Sequence, residues 1–399
     1  MLNRRDVLKN LSLGAAIAGL PAITFARART DARMVLIILR GAVDGLALIA
    51  PYGDGKYKSM RGELAINKPG DTGGLLKLDG LFGLHPSMKA SYELFNNGEL
   101  LPVHAIASPY RERSHFDGQD VLENGDKRAG DSRDGWLNRA LAPLGGGFGN
   151  EMAIAMSQNT PLVLRGDSSV ASWAPSQMPD ADDDTLQRIA SMYSSDEFFS
   201  MRLQQALDSQ EIAGGMSDMN HRGRGKDRAL SRTLMQAAGR FVSGPDGPRI
   251  AVLESGGWDT HANQGAGSGS LAKKFAALDA DLATLRSGLG ATWSNTVIAV
   301  VTEFGRTVKV NGTRGTDHGT ATAALLLGGA VRGGNVFADW PGLARNNLYE
   351  GRDLFPTTDV RSLFKGILAE HFLLPDNYLE STVFPDSRAA KPLRDIIRT

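Results

Sequence analysis

Val297-Ile298-Ala299-Val300-Val301-Thr302-Glu303-Phe304-Gly305-Arg306 is an unbroken apolar run that ends in a carboxylate, a glycine and a guanidinium. A strand with one wet face alternates apolar and polar residues, whereas a continuous run suits a strand covered on both faces. Similar runs stand at Met34 to Leu39, Leu100 to Ala107, Met152 to Met156, Pro161 to Leu164, Ile250 to Leu253 and Ala321 to Leu327. Helical periodicity fills Pro86 to Phe95, Trp136 to Ala142, Leu271 to Leu289 and Val360 to Phe372. Strands alternating with helices predict an α/β fold, a three-layer α/β/α sandwich around a mainly parallel central sheet.

The stretch from Asp167 to Arg240 breaks this rhythm. It is polar, carries an acidic run from Asp180 to Asp184, and shows helical patterns at Leu186 to Leu207 and Arg228 to Phe241. Gly214-Gly215 and a basic loop from His221 to Lys226 separate the two patterns. It reads as a helical insertion or cap at about 167–240 within one domain spanning 29–399, with the basic loop as solvated surface.

The N-terminus reads as an export signal over residues 1–28. Asn3-Arg4-Arg5-Asp6-Val7-Leu8-Lys9 precedes an apolar stretch from Leu11 to Phe25 and the small-residue triplet Ala26-Arg27-Ala28. That is the charged, apolar and cleavage-site order of such a signal. The paired arginines resemble a twin-arginine signal, so the expected location is periplasmic or secreted, after export in the folded state by the twin-arginine translocase. The apolar stretch is shorter than the roughly 20 residues that span a bilayer, and no later segment is long enough.

Lys+Arg and Asp+Glu number 44 each, and loss of the signal takes four cations and one anion, leaving a net charge of about −3. A mildly acidic chain offers no electrostatic case for nucleic acid, which requires a basic face. Cysteine is absent, so there is no thiolate nucleophile, disulfide or cysteine-type metal site.

Candidate chemistry gathers where strand-like runs end. Asp44 follows the first run in Gly41-Ala42-Val43-Asp44-Gly45, where it could take a divalent cation or shape the turn through its own hydrogen bonds. Ser114, in Arg113-Ser114-His115-Phe116-Asp117, has the spacing of a helix capping box with Asp117. A hydroxyl at a helix start, beside arginines, also suits attack on a phosphoryl group, with His115 as an alternative ligand or acid/base. Asp259 and His261, in Gly257-Trp258-Asp259-Thr260-His261, can face one ion from a loop. Glu303 ends the run quoted first, and Asp317-His318 opens the run at Ala321. The glycine-rich loop Asn311 to Thr316 lacks the GxxxxGK pattern of a nucleotide P-loop.

In that order these residues resemble the alkaline phosphatase superfamily. The signal, the Trp258-Asp259-Thr260-His261 segment and the Thr302 to Gly319 segment also look closely like the bacterial family catalogued as domain of unknown function 1501, grouped with that superfamily. The resemblance implies an alkaline phosphatase-like fold and a metal-dependent hydrolase of phosphate, less readily sulfate, esters. It implies a first ion on Asp259, His261 and His318, and a second near Asp44, Glu303 and the nucleophile Ser114.

This sequence departs from the pattern where Glu303-Phe304 replaces an Asp-His pair, which leaves the second site short of an imidazole that Asp317, His115 or His371 would have to compensate. Oxygen and imidazole ligands favour zinc or manganese, as one or two ions. Arg113 and Arg306, with Arg40 third, are the expected grips for non-bridging oxygens of a small or polymer-linked anionic ester. The contrasting expectation is an exported binding or assembly protein with a degenerate site. A formylglycine sulfatase is disfavoured, because Ser108-Pro109-Tyr110-Arg111 lacks the required spacing.

Overall fold

A computed structural model describes residues 31–145, 151–175, 183–193, 195–212 and 226–398. The expected signal at 1–28, the start of the acidic run and His221 to Gly225 of the basic loop lie outside the described residues. The strands are β1 (Arg33–Leu39), β2 (Ile49–Ala50), β3 (Leu76–Lys77), β4 (Gly83–Leu84), β5 (Leu100–Ala107), β6 (Ala153–Ala155), β7 (Ala171–Ser172), β8 (Ile250–Ser255), β9 (Thr296–Val301), β10 (Thr322–Leu327) and β11 (Thr358–Asp359).

Eight of them form one sheet in the order β11-β5-β10-β9-β1-β8-β6-β7, and β2-β4-β3 make a small separate sheet. β1 lies between β8 and β9, parallel to both, with Met34 opposite Ile250 on one side and Val297 on the other. β10 runs antiparallel to both β5 and β9. All other pairings in the large sheet are parallel. One edge of the sheet therefore gathers the carboxyl ends of β1, β5, β8 and β9 with the amino end of β10.

Alternate residues of β1 enter two cores. Met34, Leu36 and Ile38 pack with Leu122, Trp136, Phe364 and Ile367, which belong to the helices His115–Asn124, Trp136–Leu141 and Val360–Glu370. Val35, Ile37 and Leu39 pack with Leu94, Phe241, Phe275 and Leu282 of the helices Lys89–Asn96, Lys226–Ser243 and Ser270–Leu289. Both faces are thus covered, which is why the strands read as unbroken apolar runs. In Ser270–Leu289, Leu271, Phe275, Leu278, Leu282, Leu285 and Leu289 repeat at three- and four-residue spacing and are buried. Each such side chain contributes about 1.5–3 kcal/mol.

Three expectations need correction. Pro161 to Leu164 is no strand but a 3-10 turn at Leu162–Leu164, its apolar character explained by the buried Val163 and Leu164. Proline has no N–H for a sheet ladder, and Pro161 stands at the turn's start. The pattern from Leu186 to Leu207 is two helices, Asp183–Tyr193 and Glu197–Ile212. The Lys226–Ser243 helix, read as part of a cap, lies in the sandwich layer through Ala238, Phe241 and Val242. No described helix is long and apolar enough to cross a membrane.

Candidate metal centre

Where β1 ends, Gly41 takes a φ of +116°, and a Cβ there would meet the backbone N of Asp259 at 2.6 Å. Only glycine allows so close an approach. The turn after β8 is pinned by Trp258, which is 2 % exposed and whose N–H donates to the Arg40 carbonyl at 3.2 Å. Asp259 is thereby held over the sheet edge. Beyond it, Asn311 and Thr313 donate to the His261 carbonyl at 2.9 and 2.6 Å. Arg306 and His318 form an antiparallel bridge that pinches the base of the connection from β9 to β10.

Three imidazoles converge on the Asp259 carboxylate. Nε2 of His261 lies 2.9 Å and Nε2 of His318 3.3 Å from Oδ1, and Nε2 of His115 lies 3.5 Å from Oδ2. Ligand atoms of His115, Asp259 and His318 all fall within 4.8 Å of one another. The Nε2 atoms of His261 and His318 are 3.0 Å apart.

Each ring has an acceptor behind it. Nδ1 of His115 faces Glu303 Oε1 at 2.8 Å, that of His318 the Arg113 carbonyl at 2.9 Å, and that of His261 Asp317 Oδ1 at 3.3 Å. A carbonyl or carboxylate oxygen accepts, so Nδ1 carries the proton and Nε2 presents its lone pair in the neutral ring. An acceptor behind a ligating imidazole is the arrangement by which proteins fix the tautomer of metal-binding histidines. Nε2 of His115 is buried and has no hydrogen-bond partner among the described residues. The ligand atoms of His115, Asp259 and His318 therefore fit a divalent cation, with His261 Nε2 beside them; imidazole and carboxylate donors are of the kind that zinc and manganese take.

The surrounding charges are consistent with that fit. The hydrogen bond to Glu303, helped by the charges of Glu303 and Asp259, outweighs burial and raises the His115 pKa. Burial lowers that of His318, and His115 and Arg306 add to the effect. Burial would raise Asp259, but the hydrogen bond and charge of Arg306 win and hold it low. Glu303 is fully buried, yet its pKa is lowered, because bonds from His115, the Gly41 N–H and Gln119 overcome desolvation.

Asp259, His261 and His318, named from the sequence, come together. Glu303 and Asp317 stand behind His115 and His261, one layer further out. Asp44 does not join them, which corrects its grouping with Glu303 around a second ion. It pairs with the buried Arg61 at 2.5 Å, accepts from Gln264 Nε2 at 2.6 Å, and caps the short Gly45–Leu48 helix. A guanidinium already neutralises that carboxylate. Arg306 donates to Asp259 at 2.5 Å and to Thr316. Arg113 turns to Asp353 and Glu350, and Arg40 to Glu123 and Glu254, so both guanidinium groups already have carboxylate partners. His371 packs against the Arg33 backbone.

Ser114 is the N-cap of the His115–Asn124 helix, yet its side chain makes no capping hydrogen bond. Its N–H donates to Tyr110 Oη at 3.0 Å, and Tyr110 Oη in turn donates to Asp117 at 3.2 Å. Arg113 precedes it at a φ of +64°. Sequence reasoning ranked His115 only as an alternative ligand and missed Gln119, Gln264, Thr316 and Arg61. Only His115 had a signal, its place beside Ser114 just after a buried strand.

Fold and site together define an α/β sandwich protein with a histidine- and carboxylate-lined centre at the sheet edge where most strands end. The chain belongs to the family described as "Protein of unknown function (DUF1501)", whose model matches residues 31–383. No curated protein matches the sequence. Among solved structures it is similar to Ps i-CgsB in complex with k-i-k-neocarrahexaose, at 11 % identity and a TM-score of 0.43, over 91 % of this chain and 77 % of that one. It is similar to a protein in the alkaline phosphatase superfamily from Vibrio parahaemolyticus, at 12 % identity and a TM-score of 0.37, over 82 % and 69 % of the two chains. It is also similar to the C-terminal periplasmic domain of EcEptC from Escherichia coli in complex with Zn, at 9 % identity and a TM-score of 0.37, over 78 % and 77 %. At these identities and scores the likeness defines neither activity nor ligands for this chain.

Proposed function

We propose that this chain is an exported, divalent-metal-dependent hydrolase of phosphate esters, with sulfate esters the less favoured substrates. The ion is zinc or manganese, and of the one or two ions expected from the sequence we assign one. His115, Asp259, His261 and His318 would hold it. The observation that carries the reading is the convergence of three Nε2 atoms on the Asp259 carboxylate, each ring with an acceptor at Nδ1. When bound, the cation supplies Lewis-acid polarisation of a phosphoryl oxygen.

The residues divide the remaining work. Ser114, at a helix start and free of a capping bond, is the nucleophile: its Oγ–P bond forms as the ester P–O bond breaks, the hydroxyl proton leaves with the departing alcohol, and water then hydrolyses the seryl phosphate to free serine and phosphate. Glu303 and Asp317 hold the protons of His115 and His261 at Nδ1. Arg306 orients Asp259 through Oδ1, the oxygen that His261 and His318 also face, and leaves Oδ2 on the side of His115. Residues 1–28 direct the protein through the twin-arginine translocase to the periplasm or beyond.

The test is to purify the mature protein, measure bound metal, and assay aryl phosphate mono- and diesters with added zinc or manganese. We expect turnover that Ser114→Ala abolishes while metal stays bound. Metal retained without turnover would instead make the chain a binding or assembly protein, and absence of metal would remove both readings.

A further inference from the structure

A cleft of about 330 Å³ lies against the back of the candidate metal centre, lined by Met60, Thr307, Lys309, Asn311, Asp317, Arg345 and Arg352 among others. It shares walls with that centre. Asp317 accepts from Asn311 at 2.9 Å and faces His261, and Arg352 donates to the His318 carbonyl at 2.8 Å. Its volume is in the range of small-ligand sites.

Three cations face this space against one carboxylate. Asp317 is already engaged by Asn311 and His261. Arg352 is anchored by the His318 carbonyl and by Asp353 at 3.3 Å. Lys309 and Arg345 are exposed, and neither makes a salt bridge among the described residues. The wall beneath is rigid, because buried Arg61 donates to the carbonyls of Thr307 and Val308 at 3.3 and 3.1 Å. A cation that is fixed, next to two that lack anionic partners, suits an oxyanion.

We propose that this cleft is a second oxyanion subsite, so that the substrates are oligoanions carrying another phosphate or sulfate group beyond the one at the metal centre. The proposal rests on the hydrolase reading only for where the scissile group sits. Binding in the cleft depends on Lys309, Arg345 and Arg352, whether or not turnover follows.

Calorimetric titration of the mature protein with orthophosphate, tripolyphosphate and dextran sulfate tests it, in the wild type and in a Lys309→Gln/Arg345→Gln double variant. Both replaced side chains are exposed, and thermal melting with metal content checks that fold and centre are intact. The expected result is at least tenfold tighter binding of tripolyphosphate or dextran sulfate than of orthophosphate, a preference the double variant loses while its orthophosphate affinity stays. The tighter of the two polyanions assigns the group as phosphate or sulfate. Equal polyanion affinity in the two proteins, or no preference over orthophosphate, would overturn the subsite. If the preference and its loss are seen but no ester is turned over, the subsite stands and the hydrolase reading falls. Turnover of aryl phosphate without any polyanion preference would remove the subsite and leave the hydrolase reading in place.

Discussion

His261 and His318 meet Nε2 to Nε2 at 3.0 Å, each with an acceptor at its Nδ1. Two neutral rings so oriented aim lone pairs at each other, and a shared cation removes the conflict. The protein should therefore be stabilised by zinc or manganese, by about 2.7 kcal/mol when free metal reaches 100 times its dissociation constant. Melting temperature against metal concentration checks this. His318→Ala should abolish the response, and a melting curve indifferent to metal in the wild type would count against the centre.

Glu303 touches no candidate ligand atom except through His115, so its replacement separates support from ligation. Glu303→Gln should weaken metal affinity by about 10–100-fold, the usual effect of losing the partner behind a ligating histidine. Competition with a chromogenic chelator measures it. An unchanged affinity would mean that His115 does not bind the ion.

Ser114 discriminates a cap from a nucleophile. An N-cap hydroxyl normally contributes about 1 kcal/mol, but here it makes no capping bond. Ser114→Ala should leave urea stability within about 0.5 kcal/mol of the wild type, leave bound metal unchanged and remove turnover. Stability lost together with activity would return Ser114 to a structural role.

Asp44 and Arg61 form a buried ion pair, with side chains 1 % and 0 % exposed. Removing one partner of such a pair strands a charge in the interior, at a cost of about 3–5 kcal/mol. Arg61→Met should show that loss in denaturant unfolding, and Asp44→Asn/Arg61→Met should recover part of it. The double variant should keep its metal. If metal content falls with Asp44 while the fold is intact, a second ion near Asp44 regains ground.

His104 makes stability depend on pH. Its ring stacks on Phe82, its Nε2 faces the Ile49 carbonyl at 2.8 Å, its Nδ1 accepts from the Ala105 N–H at 2.7 Å, and complete burial pushes its pKa down to about 4. The unfolded ring titrates near pH 6.5, so between about 6.5 and 4 the unfolded state binds more protons. The contribution is whole above pH 6.5 and is lost as pH falls through that window, by roughly 3 kcal/mol. His85 and His371, also lowered by burial, act in the same direction. Urea midpoints from pH 7.5 to 4.5 should show a flatter slope in His104→Gln than in the wild type, and equal slopes would exclude His104 as a main cause.

The central strands were legible because burial on both faces writes an unbroken apolar run, and β1, β5, β8, β9 and β10 lie within two residues of the runs read from sequence. The two-residue strands β7 and β11 have no such signature, and Pro161 to Leu164 mimicked one. At the site, Asp259, His261 and His318 were legible because each stands just outside a strand end. The partner of Asp44 was not, since Arg61 reaches it from a separate helix and leaves no periodic mark. Nor was the engagement of the expected substrate-gripping arginines, because ion pairs such as Arg113 with Asp353, 240 residues apart, are set by tertiary packing.

The position of β1 also orders the birth of the molecule. It is the first described strand, but its sheet neighbours begin at Ile250 and Thr296. While the ribosome works through the intervening residues, both rails of β1 lack their native mates, and unpaired rails invite pairing with other chains. Native pairing on both sides of β1 therefore waits until Val301 has emerged. Fragments ending before Thr296 should therefore aggregate more than the complete chain, which sedimentation after synthesis would measure.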